Sequence, residues 1–127
     1  ASLHAVVAAQ DEDGLTRLEA SAGPLYLPRV EAAIGTRLSI RILAQDVILS
    51  RSRPEGLSAL NVLPATVTAV RLGNGPGAIV QLRSGDDLIL ARITRRSTLA
   101  LGLAPGADCF AIVKTVAVAR INVGAAG

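Results

Sequence analysis

The sequence contains no methionine and no tryptophan, and only one residue each of cysteine, histidine, lysine, tyrosine and phenylalanine. One cysteine excludes an intrachain disulfide, and one histidine beside one cysteine leaves neither a nucleophile–base pair nor a metal-ligand cluster. The G-x-x-x-x-G-K-[ST] loop that holds nucleotide phosphates is also missing, so this chain has no means of hydrolysing ATP. We therefore expect no enzymatic activity, no cofactor and no directly bound metal cation.

Long hydrophobic runs and surface aromatics are scarce as well. No apolar stretch approaches the ~20 residues of a membrane helix, and the chain shows no signal peptide, so we expect a cytoplasmic location. The net charge of +3 and the isoelectric point near 10.0 leave nucleic-acid binding as an alternative. That alternative requires stacking surfaces, for which Tyr26 and Phe110 are the only aromatic residues. We therefore expect no nucleic-acid partner.

Short apolar runs separated by Gly, Pro, Asn and Asp make up most of the chain. Half of the 127 residues are apolar, so the chain should fold around one core built from Val, Ile, Leu and Ala. Alternation and run length predict eight strands, at residues 3–9, 15–20, 24–28, 37–49, 62–71, 77–83, 87–93 and 109–121.

Turn residues separate these predicted strands. "SAG" at 21–23 and "SGD" at 84–86 predict hairpins. "LGNGPG" at 72–77 predicts another turn, with three glycines able to adopt positive φ. "DED" at 11–13 is interpreted as a solvated hairpin tip.

Two segments are helical candidates. The better one is "RSTLALGLAPG" at 96–106, and "PRVEAAIG" at 28–35 is the weaker. The residues that could cap or end the first are Ser97, Thr98, Gly102 and Gly106.

The order of elements repeats. Each half contains strand, turn, strand, turn, strand, a short helical segment ending in glycine, and a long final strand. Residues 35–50 align without gaps on residues 106–121, an offset of 71. This order predicts an all-β fold of two OB-type five-stranded barrel halves, each with one short helix, packed into one unit.

Small polar residues are concentrated in three places in the second half. Ser58, Ala59, Leu60 and Asn61 precede a strand; Thr94 and Ser97 lie three residues apart in a helical turn; Lys114 and Thr115 follow an apolar run. Hydroxyls, unobstructed backbone amides and one positive charge are the donors that a tetrahedral oxyanion requires. Lys114 is the only lysine, and within an apolar strand its charge would need a partner.

These residues and "LILARITRRSTLALGLAPGADCFAIVKTVAV" (88–118) resemble the molybdate-binding Mop domain, which has a Ser-Ala-Arg-Asn box, an Ile-Thr-x-x-Ser turn and a Val-Lys strand. Together with "RPEGLSALNVLP", the whole chain is similar to the carboxy-terminal regulatory region of molybdate ABC transporter ATPase subunits. The resemblance divides the chain into a degenerate half (1–52), a linker with the oxyanion box (53–61) and a Mop domain (62–127).

The resemblance implies a molybdate- or tungstate-binding regulatory module. It implies oxyanion contacts from Ser58, Ala59, the backbone amide of Leu60, Asn61, Thr94, Ser97, Lys114 and Thr115, with Asn61 mainly holding the box in shape. Leu60 departs from the family arginine, and Leu43 replaces the lysine in the first half, which we interpret as structural.

The resemblance also implies a homodimer or larger homo-oligomer with sites between chains. Contact with a membrane permease would run only through an ATPase domain absent from this chain, and the location would be cytoplasmic or peripheral to the inner membrane. A free-standing molybdate storage protein is the alternative within this class, and an OB-type nucleic-acid module is the alternative outside it.

Four further residues receive structural interpretations. Cys109 should be a buried thiol, and His4 should be structural or incidental to function. Arg51 and Arg53 should be solvated linker charges, with an interface role left open.

Overall fold

The computed structural model describes residues 2–115 and 123–125. Within these residues, ten strands form two sheets: β1 (Ser2–Gln10), β2 (Leu15–Ala20), β3 (Gly23–Pro28), β4 (Arg37–Arg41), β5 (Ile48–Ser50), β6 (Asn61–Leu72), β7 (Gly77–Ser84), β8 (Asp87–Thr94), β9 (Asp108–Val113) and β10 (Val123–Ala125). A 3-10 turn spans Ala44–Asp46, and the helix α1 spans Arg95–Ala100.

The two halves exchange their last strands. The first sheet has the order β10-β4-β1-β2-β3, and the second has the order β5-β9-β6-β7-β8. Strand β5, from the first half, pairs antiparallel with β9, and β10, from the end of the chain, pairs antiparallel with β4. Each sheet is therefore completed by the other half. The predicted all-β architecture of paired five-stranded halves is confirmed, whereas the predicted boundaries at 52, 53–61 and 62 stay a prediction.

The strand register establishes the internal repeat more firmly than residue identity does. The pair Leu3↔Ile40 in the first sheet corresponds to Leu63↔Ala111 in the second. Strand β1 therefore aligns with β6 at an offset of 60 residues, and β4 aligns with β9 at an offset of 71. Both β1 and β6 carry a register shift at the same relative place, after Val7 and after Val67. Strands β2 and β3 match β7 and β8 at an offset of 64 throughout. The halves are thus the same fold with turns of different length.

The two long predicted strands are broken. Residues 37–49 form β4, then a 3-10 turn, and then β5 in the other sheet, because the chain crosses between the halves there. The predicted strand 109–121 ends at Val113, and residues 116–121 lie outside the described part of the chain. The ungapped alignment also fails at this end. Ile40 and Ala111 are equivalent positions, and they pair with Val123 and Leu49 respectively. Leu49 is therefore equivalent to Val123, which an offset of 71 does not give.

The helical predictions were partly wrong. In the second half the helix starts at Arg95, and its cap is Thr94 rather than Ser97 or Thr98. Gly102, with φ of 62°, follows its end as predicted. Residues 29–36 contain no helix, because other groups engage the backbone there: Val30 N–H donates to Thr16 Oγ1, and Gln10 Nε2 donates to Val30 O.

The predicted turns are confirmed at 11–14, 21–22, 73–76 and 85–86. The glycines at 73, 75 and 77 do not adopt positive φ, so that part of the turn prediction was wrong. Positive φ occurs instead at Gly85, in the two-residue hairpin between β7 and β8.

A shared core of buried aliphatic residues joins the sheets. The largest fully buried apolar side chains come from both halves: Leu3, Leu18, Leu25, Leu27, Ile40, Leu63, Leu82, Val7, Val67, Val80 and Val113. The hairpins 20–23 and 84–87 meet between the halves, where Asp86 N–H donates to Ser21 Oγ at 2.8 Å. Neither half buries its apolar face without the other.

Candidate functional site

The candidate site lies where β6 begins and β9 ends. Asn61 pairs with Val113 in this antiparallel ladder. The residues before Asn61 and the residues after Val113 therefore leave the sheet side by side. Ser58, Ala59 and Leu60 come together in this way with Lys114 and Thr115, although more than fifty positions separate them in the sequence.

The box residues differ sharply in burial. Ser58 and Leu60 are exposed and Ala59 is half-buried, so the Ser58 hydroxyl and the backbone at Ala59 are available to a ligand. Leu60 keeps 49% of its surface exposed, so its side chain does not cover the box.

Asn61 is fully buried and holds the two halves together. Its Oδ1 accepts a hydrogen bond from Tyr26 N–H at 2.7 Å, and its Nδ2 donates to Tyr26 O at 3.0 Å. Strand β3 is the edge of the first sheet, so this amide satisfies the outward-facing backbone groups of Tyr26. The geometry supports the prediction that Asn61 shapes the box, since both ends of its amide are engaged.

Lys114 lies outside the strand and is exposed. Strand β9 ends at Val113, one residue earlier. The argument that an apolar strand forces this charge to find a partner was therefore wrong. Lys114 instead places an exposed side chain directly after the residue that pairs with Asn61.

Among the site residues, Thr115 gives the strongest indication that a ligand binds here. Its side chain is 8% exposed, and its hydroxyl has no hydrogen-bond partner among the described residues. A buried hydroxyl without a partner costs free energy, so such groups usually face a ligand or water.

Thr94 and Ser97 engage each other at the start of α1. Ser97 N–H donates to Thr94 Oγ1 at 3.0 Å, and the two hydroxyl oxygens are 2.9 Å apart. Arg95 N–H is also used, because it donates to Pro76 O at 2.7 Å. Two backbone amides of this turn are therefore engaged within the chain, whereas Thr94 and Ser97 remain on an exposed surface.

Within one chain, Thr94 and Ser97 lie far from the box. Thr94 pairs with Gly77, next to the far end of β6 at Leu72, whereas Asn61 is the first residue of that strand. Twelve strand residues span roughly 35 Å when extended. The structure thus unites Ser58–Asn61 with Lys114 and Thr115, and it does not unite them with Thr94 and Ser97.

The linker arginines are not simply solvated. Arg51 Nη1 donates to Leu101 O at 2.9 Å and to Gly102 O at 3.2 Å, so it binds the carbonyl end of α1. The Arg53 guanidinium lies 4.7 Å from the centre of the Phe110 ring. Both contacts fix the linker that leads into the box.

Cys109 is a buried thiol, as predicted, with 2% of its surface exposed. Burial raises the pKa of this thiol above 9.0; the Arg51 charge lowers it in part, and the Asp108 charge raises it. The thiol is therefore inert at neutral pH.

Sequence reasoning missed two contacts between the halves. The buried carboxylate of Asp87 lies 3.0 Å from Nδ1 of His4, so His4 has the structural role that was one of its two predicted interpretations, but its partner was not predicted. The partner of Asn61 was also missed, although Pro24 and Pro28 on either side of Tyr26 were a signal. Those prolines have no N–H, so Tyr26 is the residue of that edge whose donor needs an acceptor.

Two OB-like halves sharing a core, with exposed polar strand ends, define the class of this protein as an all-β binding module. Residues 57–119 match the TOBE domain family. This segment is a TOBE domain, and the chain is similar over most of its length to part of the molybdenum import ATP-binding proteins.

Two such relatives are informative. ModC of Mesorhizobium japonicum is 43% identical over 112 residues, which are 88% of this chain and 30% of that protein. ModC of Thiobacillus denitrificans is 45% identical over 117 residues, which are 91% of this chain and 32% of that protein. The chain spans about a third of the length of these curated relatives.

A solved structure shows the same fold over nearly the whole chain. The cytoplasmic molybdate-binding protein ModG, in a form with molybdate bound, superposes with a TM-score of 0.85 and 24% identity. The match covers 99% of this chain and 96% of that one. In the part of the chain that the structure describes, no helix is long and apolar enough to cross a membrane.

Proposed function

We propose that this chain binds molybdate or tungstate and acts as the regulatory region of a molybdenum import ATP-binding protein. The carrying observation is the buried hydroxyl of Thr115, which has no hydrogen-bond partner among the described residues and lies at the end of the Asn61–Val113 ladder where the exposed Ser58 and Lys114 also leave the sheet. A dianion with four acceptor oxygens satisfies that hydroxyl and is neutralised in part by the lysine. Homology to proteins named for molybdenum import supports this choice of anion.

The site is completed between chains. Ser58, Ala59, the Leu60 amide, Lys114 and Thr115 of one chain would meet Thr94 and Ser97 of a second, because one chain holds these groups at opposite ends of β6. Asn61 would act through the shape of the box. Bound anion then stabilises the associated arrangement only by as much as it prefers that arrangement.

This chain contributes binding, and ATP hydrolysis belongs to the nucleotide-binding part of such a protein. Any contact with a membrane permease runs through that part as well, and the location is cytoplasmic. The exposed Leu60 removes a positive charge that the Mop family has at the box, so affinity rests on Lys114 and the neutral donors.

Calorimetric titration tests this function. Molybdate should bind saturably and sulfate, the smaller anion, should compete poorly. Lys114→Ala and Thr115→Val should each weaken molybdate binding by about tenfold or more, because each removes a donor to a charged ligand. Arg83→Ala, which removes an exposed charge near the end of β7, is the matched control and should bind normally. Unchanged affinity in both site variants would reject this site.

A free-standing molybdate-binding protein is the second candidate, favoured by the match that covers 96% of the ModG chain. The native size decides between the two. An immunoblot of the source cells would show a band near 13.0 kDa for a free-standing protein. A regulatory region would appear in a band about three times as large.

A further inference from the structure

The internal repeat places opposite charges at equivalent ends of the two halves. Asp11 N–H donates to Leu15 O, which corresponds in register to the pair Arg71↔Ile79 in the second half. Asp11 and Arg71 are therefore the same position of the fold with the charge reversed. The turn between β1 and β2 continues with Glu12 and Asp13, whereas the turn from Arg71 to Gly77 contains no acidic residue.

The basic end of the second half forms a groove. A cavity of about 580 Å³ is lined by Arg71, Arg92 and Thr94, with Ile79 and Pro76 among its apolar residues. Arg71 and Arg92 both stand opposite Ile79, so their backbones are about 10 Å apart, twice the strand spacing. Arg95 and Arg96 directly follow the lining residue Thr94, and none of these four arginines has an ion-pair partner among the described residues.

The acidic end of the first half is a narrow projection. Residues 11–14 form the tip of the β1–β2 hairpin, where Glu12 and Asp13 are exposed. Across the described ranges, these carboxylates have no ion-pair partner either. The chain thus displays an unpaired acidic tip and an unpaired basic groove on different halves.

We propose that the acidic tip of one copy, residues 11–13, docks in the Arg71–Arg92 groove of a second copy. The occupant is another copy of this chain because the repeat supplies both members of the charge pair on one molecule. Tip-to-tip and groove-to-groove contacts would bring like charges together, so the charges select the unlike pairing. Such a head-to-tail contact closes into a ring or continues as a filament.

The same contact brings the two parts of the proposed anion site together, and this step rests on the proposed function. On the tip-bearing copy, Asn61 holds Tyr26, which lies two residues before Pro28, and Pro28 pairs with Leu15 at the base of the tip. On the groove-bearing copy, Thr94 lies two residues after Arg92. Docking the tip therefore carries the Ser58 box toward Thr94 and Ser97 of its neighbour.

Sedimentation velocity without molybdate tests the docking apart from anion binding. The first variant is Asp11→Asn/Glu12→Gln/Asp13→Asn, and the second is Arg71→Gln/Arg92→Gln. Glu55→Gln and Arg83→Gln, at exposed positions elsewhere, are the matched controls. Wild type and controls should associate at low salt and dissociate as salt is raised, since exposed charges are screened. Each variant should associate about tenfold more weakly.

Mixing the two variants gives the decisive result. The tip-neutral chain keeps its groove and the groove-neutral chain keeps its tip, so the mixture should form one-to-one dimers at concentrations where each variant alone is mostly monomeric. No association in the mixture, or wild-type association in either variant alone, would overturn the docking. Loss of molybdate binding with unchanged association in the groove variant would also overturn it and identify the groove as an anion site. Molybdate binding by calorimetry is scored separately, so a failure of the proposed function would leave the mixing result intact.

Discussion

The amide of Asn61 makes a connection between the halves whose strength can be calculated from its contacts. It is 0% exposed and makes two hydrogen bonds to the backbone of Tyr26, at 2.7 and 3.0 Å. Asn61→Ala removes both bonds and leaves the Tyr26 N–H and C=O unpaired at a half-buried edge. Each group then costs about 1–1.5 kcal/mol, toward the low end for a buried group because the edge is partly accessible to water. The expected loss in the free energy of unfolding is about 2–3 kcal/mol.

Urea denaturation followed by circular dichroism measures this loss, and thermal denaturation should show a midpoint lowered by about 10 °C. Asn74→Ala is the matched control, because Asn74 is exposed in the turn between β6 and β7 and makes no side-chain hydrogen bond in the described part of the chain. The control should stay within about 0.5 kcal/mol of wild type.

Asn61→Asp separates the bonds from the volume of the side chain. It keeps the acceptor for Tyr26 N–H but sets an oxygen against Tyr26 O, so it should be destabilised as much as the alanine variant. If Asn61→Ala unfolds within about 0.5 kcal/mol of wild type, the edge of β3 does not depend on this amide. Asn61 would then have to be assigned to the ligand instead.

Two further predictions concern Gly85 and Cys109. Gly85 has φ of +59°, and a Cβ there would collide with Ser21 Oγ and come within 2.8 Å of Ala22 N. Gly85→Ala should therefore lower the free energy of unfolding by about 2 kcal/mol or more in urea denaturation. Gly75→Ala, with open space around it, should lower it by less than about 0.5 kcal/mol. Equal losses at both glycines would contradict the close approach of the two hairpins. Burial raises the pKa of the Cys109 thiol above 9.0, so the unfolded chain releases this proton first and stability should fall as pH rises past about 9. The fall should be smaller in Cys109→Ala; identical pH slopes in urea midpoints would show that this thiol does not titrate differently on folding.

Six of the strands could be predicted from the sequence together with their ends, but the ends of β4, β5 and β9 could not. Alternating apolar residues fixed β1 to β3 and β6 to β8 to within about two residues. Residues 37–49 gave no sign of the break at Ala44–Asp46, because the crossing from one sheet to the other is decided by tertiary pairing. The end of β9 at Val113 was missed for the same reason, and that end decides whether Lys114 is buried or exposed.

The candidate site, too, could be predicted only in part from the sequence. The residue set came from a resemblance in sequence, and the pairing of Asn61 with Val113 explains why two distant segments of that set meet. The distance of Thr94 and Ser97 from them depends on the order of strands in the sheet, which local patterns do not contain. The buried hydroxyl of Thr115 likewise follows from packing between segments and has no signature in the run "VKTV".

The first half has Leu43 at the position equivalent to Lys114, yet the second half depends on the first for its structure. Strand β5 completes the sheet that carries the box, and Tyr26 holds Asn61 at the start of β6. On the opposite side, Asp87 of the second half accepts a hydrogen bond from His4 N–H of the first. Each of these contacts joins elements at least 35 residues apart, so the geometry of the box is set by the half without the lysine. A duplicated fold can therefore lose the chemistry of one copy while the other copy depends on that copy for its shape.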